Sequence, residues 1–246
     1  DDKNSEYMIQ NTDASVYTYS LKSKSNFTCK IIEQQLDGML LSIDNSEIWT
    51  KLIGNFNASN ISAIYSVGKI FNIDKIKLLT GISELDSVVG RLQKFMSIDN
   101  VTVIIDYAHT PDAVENVIST INKIKKSNQN LITVIGCGGD RDKNKRPLMA
   151  KISSDLSSKV IFTSDNPRSE DPKLIIDDMI EGVSNFNSSK ITIEIERKKA
   201  IEKAKKYSTQ GDIVLIAGKG HENYQESNNQ RVYFDDFEIA KEIFNK

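Results

Sequence analysis

The segment TSDNPRSED, residues 163–171, concentrates side chains that recognise charged groups. Asp165 can accept hydrogen bonds from an ammonium group, and Arg168 can pair with a carboxylate through two parallel N–H donors. Pro167 restricts the backbone φ angle and so helps to aim Asn166 and Arg168. The segment follows a short apolar run, which is typical of a strand that ends there. This arrangement predicts a ligand site at the end of a strand.

Three other segments place charged or reactive side chains among small residues. In DYAHTP, Asp106 can bind a ribose hydroxyl and His109 can lie near phosphate groups. In GCGGDRDKNKRP, the glycines let backbone N–H groups approach an anion, although the spacing matches neither GxGxxG nor a P-loop. In AGKGHE, Lys219 lies between two glycines, and backbone carbonyls together with Glu222 can face a cationic group.

Each segment also has a purely structural interpretation. Asp106 or a nearby hydroxyl can cap the following helix, with His109 buried. The basic residues of the second segment can form a solvated turn; they are Arg141, Lys143, Lys145 and Arg146. AGKGHE can be a glycine-rich turn, and Arg168 can be a surface residue paired with Glu170 or Asp171.

The elements that position these segments follow from the apolar pattern. Apolar runs predict buried strands at 101–105, 131–135, 160–162, 191–195 and 213–217. Helical spacing lies between them at 112–126, 146–157, 172–183 and 197–207. This alternation predicts an α/β, Rossmann-like fold with a mainly parallel sheet covered by helices on both faces. Ligands bind beyond the carboxyl ends of such strands, where the four segments lie, so we expect a shared cleft.

The first part of the chain has a different pattern. Short alternating runs at 15–20, 27–32 and 38–43 predict strands of a small antiparallel sheet. Helical spacing follows at 57–71 and 74–86.

Two features mark the transition between these patterns. Asn57 is a predicted helix N-cap, and its amide can also hydrogen-bond an adenine edge. The change of pattern near Gly90 and Arg91 predicts a boundary that separates a domain at 1–92 from a domain at 93–246.

Composition and charge argue against several classes of function. The net charge of −2 disfavours a nucleic-acid-binding protein that relies on positive charge, and no apolar run approaches the ~18–20 residues of a membrane span. The chain has two cysteines, two histidines and no signal-peptide pattern at its start, so we expect a cytoplasmic protein without its own metal site. The absence of GxGxxG argues against a nucleotide-dependent oxidoreductase, which a test of NAD(P) binding would decide.

Several long motifs occur together in one order. DYAHTPDAVENV, GCGGDRDKNKRPLM, DNPRSEDP and AGKGHENYQ resemble the carboxy-terminal domain of the Mur ligases of bacterial cell-wall synthesis, and within that family the UDP-N-acetylmuramoyl-tripeptide synthetases (MurE type). LIGNFNASN and VVGR are similar to the end of that family's central ATPase domain. The resemblance extends from about Leu52 onward, whereas residues 1–50 match only in general character.

The resemblance implies an ATP-dependent ligase reaction. In the family, ATP phosphorylates the terminal carboxylate of UDP-MurNAc-L-Ala-D-Glu, and the amine of an incoming amino acid attacks the acyl phosphate. The products are ADP, phosphate and a new amide, and Mg²⁺ bridges the phosphates. The implied amino acid is meso-diaminopimelate, with L-lysine or lanthionine as alternatives. The implied partners are therefore small molecules, and neither nucleic acid nor a membrane is expected.

The resemblance also implies roles for residues that match the family's motifs. Arg141 and Arg168 are expected to bind a carboxylate of the incoming amino acid, and Asp165 and Asn166 to hold its amino group. The whole amino-acid site implied in this way is Arg141, Asp165, Asn166, Pro167, Arg168, Gly218 and Glu222. The residues implied for adenosine are Asn57, Arg91 and Asp106, and His109 is the implied catalytic residue near the phosphates. The DNPR motif is the implied selector for meso-diaminopimelate over lysine, because its arginine offers a planar fork to the extra carboxylate.

The family's P-loop, Gly-Thr-x-Gly-Lys-Thr, does not occur in the sequence. We therefore expect the chain to be the carboxy-terminal portion of a longer enzyme, beginning inside the ATPase domain. By itself it is not expected to hydrolyse ATP or form the amide. The competing interpretation is a module that binds an amino acid or a partner without catalysis, and assaying phosphate release with the upstream segment present would discriminate the two.

Overall fold

The computed structural model describes residues 1–184 and 189–246. The chain divides into two compact units, Asp1–Asp86 and Ser87–Lys246. A buried apolar core belongs to each unit. Within the described ranges, no helix combines the length and the apolar character that crossing a membrane requires.

The first unit is a four-stranded sheet that packs against two long helices. Its elements are α1 (Ser5–Met8), β1 (Tyr19–Ser20), β2 (Phe27–Gln34), β3 (Met39–Ile43), β4 (Ser46–Thr50), α2 (Asn55–Ile70) and α3 (Lys75–Glu84). Strands β2 and β3 are antiparallel, as the sequence predicted, and β4, which was not predicted, continues the antiparallel sheet. Strand β1 is shorter than predicted and pairs with β2 in parallel. The backbone N–H of Thr18 donates to the side chain of Asn26, so a side chain holds the residue directly before Tyr19.

Asn57 lies in the first turn of α2 and is not its N-cap. The helix begins at Asn55, after Gly54, and the Asn57 amide donates to the carbonyl oxygen of Ile53 over 2.9 Å. The predicted N-cap is therefore wrong. The amide instead closes the turn that leads into the helix, because its backbone is already helical at that position.

The second unit is built on a six-stranded sheet. Its elements are β5 (Gln93–Met96), β6 (Thr102–Asp106), α4 (Pro111–Ile124), β7 (Leu131–Ile135), α5 (Lys145–Leu156), β8 (Lys159–Phe162), α6 (Pro172–Ile180), β9 (Ile191–Ile193), α7 (Arg197–Tyr207), β10 (Ile213–Ala217), β11 (Tyr224–Ser227), β12 (Gln230–Tyr233) and α8 (Asp236–Phe244). The strand order is β5-β6-β10-β7-β8-β9, and every pair is parallel except the edge pair β5-β6. This architecture confirms the predicted α/β fold with a mainly parallel sheet.

The burial of the central strands explains why apolar runs in the sequence predicted them. All residues of β6, β7 and β10 are buried, because helices cover both faces of the sheet. Val103 and Ile105 pack with Ala200 of α7 and Phe244 of α8 on one face. Successive strand side chains point to opposite faces, so Ile104 faces the other layer, in which α4, α5 and α6 pack in sequence.

The register of the sheet brings four loops to one edge. Ala217 lies opposite Asp106 on one side and opposite Ile135 on the other, and Ile135 lies opposite Phe162. Strands β6, β10, β7 and β8 therefore end at one level. Because they run in the same direction, the segments that follow them all emerge at the carboxyl edge of the sheet.

Several elements of the second unit were not predicted. They include the edge strand β5, the β11-β12 hairpin and helix α8. The hairpin has half-buried residues in β11 and exposed residues throughout β12, so it lacks the buried run that marks a central strand. Its turn residues, Asn228 and Asn229, have positive φ angles of 49° and 60°, the conformation that a two-residue hairpin turn requires.

Candidate functional site

A cavity of about 440 Å³ opens at the carboxyl edge of the six-stranded sheet. It is lined by Tyr107, His109, Thr110, Gly138, Arg141, Lys145, Asp165, Asn166, Arg168, Gly218, Glu222 and Tyr224. The loops after β6, β7, β8 and β10 all contribute to this wall. The shared cleft that the strand-end segments predicted is thus present.

Most of the residues singled out from the sequence for the amino-acid site meet here. Six of them are in the wall: Arg141, Asp165, Asn166, Arg168, Gly218 and Glu222. His109, the predicted catalytic residue, lines it as well. Pro167 lies directly behind the wall, where its carbonyl approaches Gly139 so closely that a Cβ at Gly139 would clash with it. Arg91 and Asp106 lie outside the wall, and Asn57 belongs to the first unit.

Asp165 is the buried acidic group of the cavity. Its residue is 6% exposed, and within the described chain no hydrogen-bond donor reaches its carboxylate. A Cβ at Gly218, which has a φ of 114°, would lie 2.7 Å from Asp165 Oδ2, so only glycine leaves room for the carboxylate. Burial raises the pKa of Asp165, and the positive charges of Arg197 and Lys219 oppose this shift. The carboxylate is therefore free to accept hydrogen bonds from a ligand.

Lys219 lies beneath the cavity and is fully buried. Its ammonium group donates to Asn166 Oδ1 at 3.0 Å and to Glu222 Oε2 at 3.3 Å, and it lies 3.9 Å from Asp165 Oδ1. Burial lowers the pKa of Lys219, and the carboxylate of Asp165 opposes that shift. The glycine-flanked lysine thus neutralises acidic groups of the site and does not project into solvent as a phosphate-loop lysine would.

Asn166 has a defined amide orientation. Its Oδ1 accepts hydrogen bonds from Lys219 and from the backbone N–H of Glu226, both at 3.0 Å, while its Nδ2 donates to Glu222 over 2.7 Å. An amide oxygen has two lone pairs, so this oxygen has no acceptor capacity left for a ligand. Asn166 offers its second amide N–H instead. The expectation that it accepts from an amino group is therefore revised: it suits a ligand acceptor such as a carboxylate.

Arg168 reaches the cavity from a strained backbone. Its φ of 52° lies in the left-handed region, which costs a non-glycine residue roughly 1–2 kcal/mol. Backbone hydrogen bonds to Glu226 and Asn228 of the hairpin hold this conformation, at 3.0 and 2.6 Å. The guanidinium donates to the Gly139 carbonyl over 2.7 Å, and its Nε lies 4.0 Å from the Glu226 carboxylate.

The surface interpretation of Arg168 is wrong. Its side chain is only 20% exposed. Glu170 instead pairs with Arg146, and Asp171 caps α6 by accepting from the backbone N–H of Lys173. Both acidic neighbours in the sequence are therefore engaged elsewhere, and the guanidinium remains directed to the cavity.

The basic segment after β7 separates into two kinds of arginine. Arg141 is exposed, and in the part of the chain that the structure describes its guanidinium donates to one backbone carbonyl, that of Asp140, at 3.2 Å. Arg146 is fully buried and bonds both Glu170 and Asp178. A solvated turn is therefore the wrong interpretation for Arg146, which anchors the loop, whereas Arg141 keeps its charge available.

The residues after β6 form an aromatic cluster in one part of the cavity wall. The Tyr107 ring packs against Arg91 at 4.6 Å, His109 at 4.5 Å and His221 at 4.9 Å. His109 is exposed, so its predicted burial is wrong, and its Nδ1 lies 2.7 Å from the Tyr107 carbonyl oxygen. The sequence did not single out Tyr107, which only the tertiary contacts identify.

Asp106 supports the loop that carries this cluster. Its carboxylate accepts from the backbone N–H groups of Leu92 and Ala108, both at 2.8 Å. Burial raises the pKa of Asp106, and these two backbone hydrogen bonds oppose the shift. The helix cap is the hydroxyl of Thr110, which accepts from Ala113, so Asp106 is not the N-cap.

Comparison with known proteins defines the family. A family model described as Mur ligase, glutamate ligase domain, matches residues 90–220, more than half of the 246 residues. The chain belongs to this Mur ligase family. The match spans the loops after β6, β7 and β8 and the start of the loop after β10, so most of the cavity wall lies within the matched domain.

The relatives share one name. The UDP-N-acetylmuramoyl-L-alanyl-D-glutamate–2,6-diaminopimelate ligase of Bacteroides thetaiotaomicron is 46% identical over 245 residues, which cover 100% of this chain and 51% of that protein. The ligase of that name from Bacillus cereus is 39% identical and covers 98% of this chain and 49% of its own length. A solved structure of a ligase of this name aligns with a TM-score of 0.68 at 34% identity, covering 98% of this chain and 51% of that one. The chain thus spans about half the length of the curated relatives it matches.

Proposed function

We propose that this chain carries the amino-acid site of an ATP-dependent ligase that adds meso-diaminopimelate to UDP-MurNAc-L-Ala-D-Glu in cytoplasmic peptidoglycan synthesis. The family match and the shared name of the relatives support this proposal. The cavity supplies the second support, since its charges suit a diamino diacid.

One observation carries the proposal. Two guanidinium groups, Arg141 and Arg168, line the same cavity as two carboxylates, Asp165 and Glu222. One end of diaminopimelate carries a carboxylate beside an ammonium group. The carboxylate can pair with the guanidinium groups, and the ammonium group can pair with the protein carboxylates. A guanidinium binds a carboxylate through two parallel hydrogen bonds, which also fixes the orientation of the ligand.

The residues of the cavity hold and orient the amino acid. Arg141 and Arg168 bind the distal carboxylate, and the remaining N–H of Asn166 can add a third hydrogen bond to it. Asp165 and Glu222 accept from the adjacent ammonium group. Holding one end in this way positions the other amine for reaction, because the binding energy offsets part of the entropic cost of bringing the reactants together.

We also propose ATP as the co-substrate, with Arg91 and Asp106 at adenosine and His109 near the phosphates. A carboxylate has about four acceptor positions, so Asp106 can still receive a ribose hydroxyl beside its two backbone donors. ATP supplies the phosphoryl group that makes the substrate carboxylate electrophilic, and Mg²⁺ would offset the charge of that transfer. The described residues include no group of three or more His, Cys, Asp or Glu side chains that could hold a metal ion, so no protein ligand is assigned to Mg²⁺.

The site is proposed to select meso-diaminopimelate over L-lysine. Lysine lacks the distal carboxylate, so bound lysine would leave Arg168 without a ligand carboxylate and with only the distant Glu226 carboxylate, 4.0 Å from its Nε. An unpaired, largely buried charge costs a few kcal/mol, and each 1.4 kcal/mol is a factor of about ten in affinity. We therefore expect discrimination of about 10²-fold. Lanthionine carries both carboxylates, so this site would discriminate it weakly.

Calorimetric titration of the 246-residue chain tests this proposal. Meso-diaminopimelate is expected to bind about 10²-fold more tightly than L-lysine, and lanthionine is expected to bind nearly as well as diaminopimelate. Equal affinity for lysine would contradict the selector role of Arg168. No binding of any of the three amino acids would contradict the proposed site.

Catalysis requires a separate measurement in the protein as its organism produces it. Phosphate release is expected to depend on ATP, UDP-MurNAc-L-Ala-D-Glu and diaminopimelate together. A protein that binds the amino acid but releases no phosphate under these conditions would be a binding module and not a ligase.

A further inference from the structure

Lys219 is the buried cation nearest to the ligand-facing acidic groups. It does not line the cavity, yet its ammonium group contacts Asn166 and Glu222 from below, and both of these side chains do line it. The ring of Tyr224, another wall residue, lies 5.4 Å from the same ammonium group. One buried side chain thus reaches three parts of the wall.

The contacts of Lys219 help to set which atoms face the ligand. An ammonium group only donates hydrogen bonds, so it holds the oxygen of Asn166 downward. The amide nitrogen is then directed to Glu222, and one N–H remains for the cavity. Glu222 accepts both bonds through Oε2, which leaves Oε1 for a ligand.

Lys219 also balances the charge of the cavity floor. Asp165 and Glu222 are two carboxylates near one another in a buried setting, and the ammonium group lies within 3.9 Å of both. The other charged groups that act on Lys219 are Arg197, which lies behind the loop, and Asp236, which neutralises Arg197 through an ion pair of 2.7 Å. Lys219 therefore places a positive charge beside both cavity carboxylates.

We propose that Lys219 is a positioning residue of the amino-acid site, which orients Asn166 towards a ligand carboxylate and maintains Asp165 and Glu222 as acceptors for a ligand ammonium group. This inference rests on the proposed function and adds a residue to its site. It predicts that the loss of Lys219 changes the pH dependence of binding as well as its strength.

The sign of the pH effect follows from the charges. Burial raises the pKa of Asp165 and the charges of Arg197 and Lys219 oppose that rise, so without Lys219 this carboxylate binds a proton at a higher pH than in the wild type. A protonated carboxyl group is a poorer acceptor for a ligand ammonium group. Binding to Lys219→Met is therefore expected to be weakest at low pH and to recover as the pH rises.

The test is a calorimetric titration of the 246-residue chain with meso-diaminopimelate at about pH 5 and about pH 7, where the ligand ammonium groups stay largely protonated. Lys219→Met is expected to bind about tenfold more weakly than the wild type at the lower pH and about threefold or less at the higher pH. The matched control is Lys203→Met, which removes a lysine paired with Glu194 over 2.6 Å outside the cavity wall. This control is expected to bind as the wild type does at both values.

The outcomes separate this inference from the function on which it rests. Absence of binding by the wild-type chain refutes the proposed function. Wild-type binding together with unchanged affinity in a folded Lys219→Met variant refutes the role of Lys219, and an equal loss at both pH values reduces that role to structural support.

If Lys219→Met does not fold, the wild-type chain decides. With ¹⁵N-labelled lysine, the Nζ signal protected from solvent exchange is expected to shift when meso-diaminopimelate is added to saturation. A protected signal that saturating ligand leaves unchanged would overturn the inference.

Discussion

Two pairs of arginines at the carboxyl edge of the sheet have opposite surroundings. Arg146 and Arg197 are fully buried, and each bonds carboxylates of its own chain. Arg141 and Arg168 line the cavity and form no ion pair shorter than 4.0 Å within the described residues. The first pair therefore stabilises the loops, and the second pair keeps its charge for a ligand.

The comparison shows that the same side chain, arginine, serves either stability or ligand binding, according to whether a carboxylate of the chain neutralises it. Arg197 donates to the carbonyl oxygens of Ser164 and Ala217, the residues directly before Asp165 and Gly218. A buried guanidinium thus holds the two strand ends that present the acidic part of the cavity. A buried guanidinium that is neutralised by carboxylates of its own chain has a structural role. A guanidinium without such a partner can bind a ligand carboxylate.

The largest expected effect comes from breaking the buried pair. Asp236→Asn would leave the Arg197 guanidinium buried without a counter-charge, since both side chains are 0% exposed. We expect a loss of about 3–5 kcal/mol in the free energy of unfolding, measured by urea denaturation. The control Glu242→Gln breaks the exposed pair with Lys246 and is expected to have no measurable effect. Equal stability of the two variants would show that burial does not determine how much an ion pair contributes to the free energy of unfolding.

The next largest effect concerns the ligand-facing pair. Arg168→Ala is expected to weaken binding of meso-diaminopimelate about 10²-fold while lowering the free energy of unfolding by only about 1 kcal/mol, the worth of its bond to Gly139. In the protein as its organism makes it, the KM for diaminopimelate should rise while the KM for ATP changes little. The matched control is Arg231→Ala, because Arg231 also approaches Glu226 but is 63% exposed and lies outside the cavity wall. A similar loss of affinity in both variants would contradict the assignment.

Arg146→Met has the intermediate effect on stability. It removes bonds to Glu170 and Asp178, but these carboxylates are partly exposed and can be solvated. It also removes Arg146 Nε, a buried donor without a hydrogen-bond partner among the described residues. We expect a loss of about 2 kcal/mol in the free energy of unfolding, less than for Asp236→Asn. A loss as large as that of Asp236→Asn would mean that solvation does not relieve the unpaired carboxylates.

The smallest effect concerns acid stability. The hydrogen bond from Arg146 lowers the pKa of Glu170 from its ordinary value of 4.5 to about 2. A lowered folded-state pKa stabilises the fold above the ordinary value, and this contribution is lost as the pH falls towards 2. The unfolding free energy of the wild type should therefore fall by about 1 kcal/mol more than that of Glu170→Gln between about pH 6 and about pH 3. Parallel pH profiles of the two proteins would contradict this linkage.

The sequence was most informative where local pattern and burial coincide. The runs at β6, β7 and β10 are apolar throughout because helices cover both faces, so their strand character was readable from composition alone. The hairpin β11-β12 was not readable, because its residues are half-buried or exposed and its stability comes from bonds to the loop after β8. Gln225 and Glu226 of the hairpin donate to the backbone of Asp165 and the side chain of Asn166.

By itself, the sequence determined that the second unit is an α/β fold, and that Asp165, Arg168, Gly218 and Glu222 follow strands in a way that predicts a common site. Only the tertiary structure decided which charges remain open to a ligand. Lys219 and Arg146 read as turn residues, yet both side chains are fully buried. Arg146 bonds Glu170 and Asp178, which lie 24 and 32 positions away, and Lys219 bonds the Asn166 amide, 53 positions away. The physical reason is that neutralisation and desolvation depend on distances between loops, and the register of the sheet sets those distances.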